Sequence, residues 1–187
     1  YKVIFFLSYA LFLVLIGWKL ITSQRIVEPV AFYLLGFLYC SLFPFFWVKM
    51  GIAYSRTNVV LFALPVWMND IFAYLIGRKW GRHKIVPRIS PGKSWEGLLG
   101  GMAAATLMGL IFVIPSVSFS PSQGLLVGFL IALVSFLGDI WESALKRRAG
   151  VKDSGNFLSG HGGILDRFDS FFLVGPLVYL LRLSWGK

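Results

Sequence analysis

Residues 123–141 read QGLLVGFLIALVSFLGDIW, with Asp139 as the only charge. That length matches the roughly 20 residues a helix needs to cross a bilayer's hydrocarbon core. Five more stretches of the same kind follow from the same reading: residues 3–22, 30–48, 59–77, 97–115 and 170–185. Lys19 lies near the end of the first, where its stem can snorkel, and Asp70 interrupts the third. The expected fold is therefore all-α, a single integral-membrane domain over residues 1–187 with about six transmembrane helices. Composition agrees: 57% of the 187 residues are hydrophobic and 14% are charged, against about 25% charged in a soluble domain. A soluble domain and a disordered chain are both excluded.

Cys40 is the only cysteine, which excludes an intramolecular disulfide and a cysteine-based metal site. Its apolar neighbours, Leu38, Tyr39, Leu42 and Phe43, lead to the expectation that it is packed. The chain starts at Tyr1 rather than Met, so its start reads as a fragment boundary. The first apolar stretch is too long for a signal-peptide core and has no small-residue cleavage site behind it.

The formal net charge is +10. In a soluble protein that would suggest nucleic acid. In a membrane it suggests anionic lipid, phosphate-bearing substrates or cytoplasmic loops, and no nucleic-acid partner is expected. Six spans divide the loops between two sides. Those after the first, third and fifth spans carry twelve of the eighteen Lys and Arg residues, which places them in the cytoplasm.

The eight acids are more informative, because five of them fall between residues 139 and 169. Asp166 and Asp169 are three apart and share a face if helical. Two carboxylates so close repel unless a cation lies between them, and Mg²⁺ is commonly held by one or two carboxylates plus substrate phosphates. Asp139 and Glu142 repeat the spacing. The plain alternative is simple ion pairing, Glu142 with Lys146 at i+4. Acids at a membrane edge are costly and point to function. The 142–169 segment also holds the basic run Lys146, Arg147, Arg148 and Lys152, and glycines flanking His161. Carboxylates beside a cationic cluster are the layout expected for phosphoryl or nucleotidyl transfer.

A second constellation runs from Trp67 through Asp70 and Tyr74 to residues 90–97, SPGKSWEG. Ser94 or Trp95 is expected to open the fourth span, with Glu96 in its first turn. Lys93 sits just outside that positive end, where phosphate is also drawn. The 78–93 stretch reads as a basic inside loop.

Residues 143–169, SALKRRAGVKDSGNFLSGHGGILDRFD, resemble the signature of phosphatidate cytidylyltransferases, also called CDP-diacylglycerol synthases. The shared pattern is Ser-x-x-Lys-Arg, four residues, Lys-Asp-x-Gly, then His-Gly-Gly-x-x-Asp-Arg-x-Asp. Asp70 and the 90–97 element also resemble the family, which departs here only at Asn69 and Gly92. The resemblance covers about residues 67–175. Family members are longer at the N-terminus, so the chain reads as N-terminally truncated or as a short variant.

The resemblance implies a nucleotidyltransferase that converts CTP and phosphatidate to CDP-diacylglycerol and pyrophosphate in phospholipid biosynthesis. It implies Mg²⁺ bound by Asp139, Asp166 and Asp169, with a second, monovalent cation left open. Lys146 joins the catalytic set. Arg147, Lys152, Arg167, His161, Lys93, Ser90 and Asp70 are the expected substrate contacts. The partners are CTP, phosphatidate and membrane lipid, with the site on the cytoplasmic side of a bacterial inner membrane or its equivalent. The small residues of the fourth span leave a homodimer open. The alternatives are a CTP-dependent polyprenol or phytol kinase and, outside enzymes, a membrane transporter. The full 143–169 signature argues against the kinase. A transporter would want charges in several spans and a path to both sides.

Overall fold

The computed structural model describes residues 14, 36, 39–40, 43–113, 119–155, 163 and 165–185. Five helices and one hairpin follow in order. They are α1 (Phe43–Ala53), α2 (Arg56–Trp80), β1 (Lys84–Val86), β2 (Ser90–Ser94), α3 (Trp95–Met108), α4 (Pro121–Arg148) and α5 (Leu165–Trp185). A π-helical turn, Gly109–Val113, extends α3. The all-α expectation holds apart from the short hairpin.

Four helices are long and apolar enough to cross a membrane: α2, α3 with its extension, α4 and α5; α1 is a shorter apolar helix. All but residue 14 of the expected span at 3–22 and most of that at 30–48 lie outside the described residues, so the count of six stands at four plus α1 among those described. Cys40 is exposed rather than packed. A uniformly apolar membrane segment does not distinguish a lipid-facing from a protein-facing position.

Helix starts follow local chemistry. Ser55 caps α2 by accepting from Asn58 N, and Ser94 caps α3 by accepting from Gly97 N. Ser120 and Gln123 form a capping box on α4, with Pro121 in the first turn. Two helices run past the apolar spans. Helix α4 continues through Glu142–Arg148, whose Glu, Ala, Leu, Lys and Arg residues favour helix. Helix α5 begins inside the signature, at Leu165. The long polar segment expected between residues 142 and 169 is thus helical at both ends, over 142–148 and 165–169.

The core is built where α5 meets α1 and α4, around Leu173, Val174, Val178, Ile131 and Trp141. Lipid is as apolar as these side chains, so close packing and hydrogen bonds carry the association rather than water exclusion. Gly138 shows how close. A Cβ there would stand 2.9 Å from the Asp169 carbonyl oxygen. Only glycine lets α4 and α5 approach at the level of Asp139 and Asp169. Likewise a Cβ at Gly97 would meet the Ala73 carbonyl oxygen at 2.7 Å, so α3 lies directly on α2. The small-residue face of α3 considered for a homodimer is thus used inside the chain.

Candidate active site

The expected basic loop at 78–93 is the last turn of α2 followed by an antiparallel hairpin pairing Lys84 with Ser94 and Val86 with Ser90. It is tied to the start of α3. Trp95 N donates to the His83 carbonyl, and the His83 ring and N–H both reach the Glu96 carboxylate, the ring at 2.6 Å. Arg147, near the end of α4, holds the hairpin tip through the Ile89 carbonyl at 3.4 Å and also donates to Val151 O at 3.2 Å.

Under the hairpin lies a cavity of about 730 Å³, within the usual range for small-molecule sites. It gathers Asp70 from α2, Ser90 and Lys93 from β2, Asp139 from α4, and Asp166, Arg167 and Asp169 from α5. Seven of the expected site residues, spread over a hundred positions, therefore meet in one place.

Lys93 is the hub. Its ammonium contacts the Asp139 carboxylate, and the charges of Asp70 and Asp169 act on it too. Burial alone would push its pKa down, but the three carboxylates, Asp139 foremost, outweigh that and raise it above the usual lysine value. Three acids thus surround one lysine in a half-buried site. Ser170, not singled out from the sequence, ties two of them together. Its hydroxyl lies 3.3 Å from Asp70 Oδ1 and 3.4 Å from Asp169 Oδ1, and its N–H donates to Asp169 Oδ1 at 2.7 Å. Asn69 donates to Asp70 Oδ1 at 3.2 Å. Two exposed side chains, Tyr74 and Arg78, also line the cavity; Arg78 donates to the Tyr74 hydroxyl at 3.0 Å.

Asp166 differs from the other acids. Lys146 donates to its Oδ1 at 2.7 Å, while Ser154 N (2.9 Å), Ser154 Oγ (2.9 Å) and Gly163 N (2.7 Å) converge on Oδ2. Both oxygens are engaged, so here Asp166 ties Ser154 and Gly163 to the start of α5. Lys146 in turn lies 2.6 Å from Glu142 Oε2, the i+4 pair considered as the plain alternative. Lys146 is thus a bridge between two acids and does not line the cavity. Lys152 is exposed and also outside the lining. His161 lies outside the described residues.

Among the described residues no three acidic, His or Cys side chains form a group able to hold a metal ion. The donor set still suits Mg²⁺, which needs only one or two protein carboxylates when phosphates complete its shell. Asp139 and Asp169 share a cavity wide enough for such phosphates.

Comparison with known sequences decides the family. The pattern described as the cytidylyltransferase family matches residues 1–185. The chain belongs to that family. A phosphatidate cytidylyltransferase of Staphylococcus saprophyticus is 48% identical over 130 residues, covering 68% of this chain and 50% of that protein. The Bacillus subtilis phosphatidate cytidylyltransferase is 36% identical over 176 residues, 92% of this chain and 65% of that protein. One from Staphylococcus aureus is 39% identical over 180 residues, 94% of this chain and 68% of that protein. The chain spans between half and about two thirds of the length of these curated relatives. Sequence reasoning singled out Asp70, Asp139, Asp166 and Asp169, which the fold brings to one cavity. It missed Ser170, whose signal was adjacency to Asp169, and the pairing of Lys93 with Asp139, which no local spacing reveals.

Proposed function

We propose that this chain, like the relatives it matches, carries the phosphatidate cytidylyltransferase site: CTP and phosphatidate react to CDP-diacylglycerol and pyrophosphate. One observation carries the reading. Carboxylates from α2, α4 and α5 and a lysine from the hairpin converge in one cavity at the polar end of four membrane-length helices. A water-soluble nucleotide and a bilayer lipid can both reach such a place.

The nucleophile is a phosphate-monoester oxygen of the lipid. With a second pKa of about 6 it is already anionic near neutral pH, so the site needs no strong general base. That oxygen bonds to the α-phosphorus of CTP, the bond from the α-phosphorus to the β-bridging oxygen breaks, and pyrophosphate leaves. The chain's task is to gather like-charged reactants and align them. Lys93, kept charged by its carboxylate neighbours, and Arg167 at the cavity wall offset phosphate charge. Ser90 offers a hydroxyl to a phosphate oxygen. Ser170 and Asn69 fix the orientation of Asp70 and Asp169. The resemblance further implies a role for Lys152 at the nucleotide phosphates, with His161 a substrate contact.

Asp139 and Asp169 would hold Mg²⁺, with Asp166 holding Ser154 and Gly163 beside them. Bound there, the metal would neutralise phosphate charge and favour departure of pyrophosphate. The twelve basic residues that the sequence assigns to this side support a site at the cytoplasmic face of a bacterial inner membrane. The test is Asp169→Asn in the full chain: CTP-dependent turnover is expected to fall at least a hundredfold while the thermal unfolding midpoint is kept, the loss seen when one strong electrostatic contact to a reacting group is removed. Wild-type turnover in that variant overturns the assignment.

A further inference from the structure

At the end of the bundle away from the cavity, two cations and two tyrosines meet, with no acid paired to either cation among the described residues. Arg182 of α5 lies thirteen positions beyond Asp169, about 20 Å along the helix. Its guanidinium packs 4.6 Å over the Tyr54 ring. Lys49 of α1 places its ammonium 5.0 Å over the Tyr179 ring. The two tyrosine rings are 6.3 Å apart, so the four side chains form one patch.

Arg182 is 9% exposed, and its Nε and Nη1 have no hydrogen-bond partner among the described residues. Neither Lys49 nor Arg182 forms an ion pair with any acid among the described residues. A buried guanidinium with unmet donors is costly, and a charge within a membrane helix is rare unless something answers it. The rings offset part of that cost through their faces, but they supply no oxygen to the donors. What is missing is an anionic acceptor with several oxygens, small enough to enter between α1 and α5 at their membrane ends. Arg182 is one turn from the end of a membrane-length helix, the depth at which a phospholipid headgroup sits.

We propose that Lys49, Tyr54, Tyr179 and Arg182 form a site for the phosphate of an anionic phospholipid in the leaflet opposite the cavity. The site is independent of the chemistry proposed for the cavity. Lys49 and Arg182 supply the charge, the Arg as a planar fork and the Lys as a point charge. The tyrosine hydroxyls border the headgroup, and the exposed apolar face of α1 (Phe45, Val48, Ile52) lies along the acyl chains.

The experiment uses the full chain in phosphatidylcholine nanodiscs with increasing phosphatidylglycerol, read by thermal unfolding and by lipid retention in native mass spectrometry. Phosphatidylglycerol is expected to raise the midpoint of the wild type. Lys49→Gln and Arg182→Gln should each need about tenfold more of it, as for loss of a charged hydrogen bond. Arg56→Gln, which removes the same charge from the exposed start of α2, should leave the dose unchanged, as should Lys93→Ala in the cavity. Equal doses for wild type and Lys49→Gln overturn the site. So does an Arg56→Gln effect as large as that of Lys49→Gln, which would mean diffuse attraction. A stabilisation reproduced by inorganic phosphate alone overturns the lipid as occupant. Lys49 is exposed, so its variant decides the matter even if Arg182→Gln does not fold.

Discussion

Lys146 bridges Glu142, which is 0% exposed, and Asp166. Removing the lysine strands a buried carboxylate and loosens Asp166, which holds Ser154 and Gly163. Breaking one partner of a buried pair costs about 3–5 kcal/mol, and Lys146 is not fully buried, so Lys146→Met should lose about 3 kcal/mol of stability. Adding Glu142→Gln to that variant should recover part of the loss, because the stranded charge is then gone. Equilibrium unfolding of the two single variants and the double variant in detergent checks this; strictly additive losses would contradict the bridge. Ser170 works through its neighbours. Ser170→Ala removes the link between Asp70 and Asp169 without opening a large hole. Turnover should fall about tenfold, the value of one lost hydrogen bond to a charged group, with the midpoint of unfolding little changed. A drop in stability with normal turnover would mean that Ser170 serves packing instead.

Among the elements, the contact of α4 with α5 sets the distance between Asp139 and Asp169, and Gly138 sets that contact. Gly138→Val puts a branched side chain against the Asp169 backbone. Overpacking of this kind costs about 1–3 kcal/mol, and the activity loss should exceed what that destabilisation explains, since the shift falls on both acids at once. Measuring kcat and the unfolding midpoint side by side separates the two. The helices were legible in the sequence because hydropathy marks them directly. Their ends were not: Glu142–Arg148 is polar yet helical, and a hydropathy reading stops at the membrane edge. The hairpin was hidden for another reason. Pro91 and Gly92 argue against a strand taken alone, and residues 84–94 lack alternation. The hairpin is held by its seat on α3 and by Arg147, contacts made across the fold. Cys40 shows the same limit, since hydropathy does not tell lipid from protein. The acids, by contrast, stood out because a chain with 14% charged residues rarely clusters them by chance.

For the whole molecule, the twelve basic residues on one side predict an orientation as well as a partner. A cysteine placed at Arg88, at the exposed hairpin tip, should react with a membrane-impermeant thiol reagent only when the cytoplasmic face is open, provided Cys40 has been replaced by serine. Labelling from the other face would invert the topology and with it the placement of the site. Orientation and chemistry meet in a single assay. The full chain in phosphatidate-containing vesicles with Mg²⁺ is given CTP labelled at either the α- or the γ-phosphate. Nucleotidyl transfer requires the α-label to appear in the lipid and the γ-label to leave as pyrophosphate, both ceasing when a chelator removes Mg²⁺. The γ-label in the lipid, or the α-label remaining in water-soluble nucleotide with folded protein, would contradict the reaction proposed for this site.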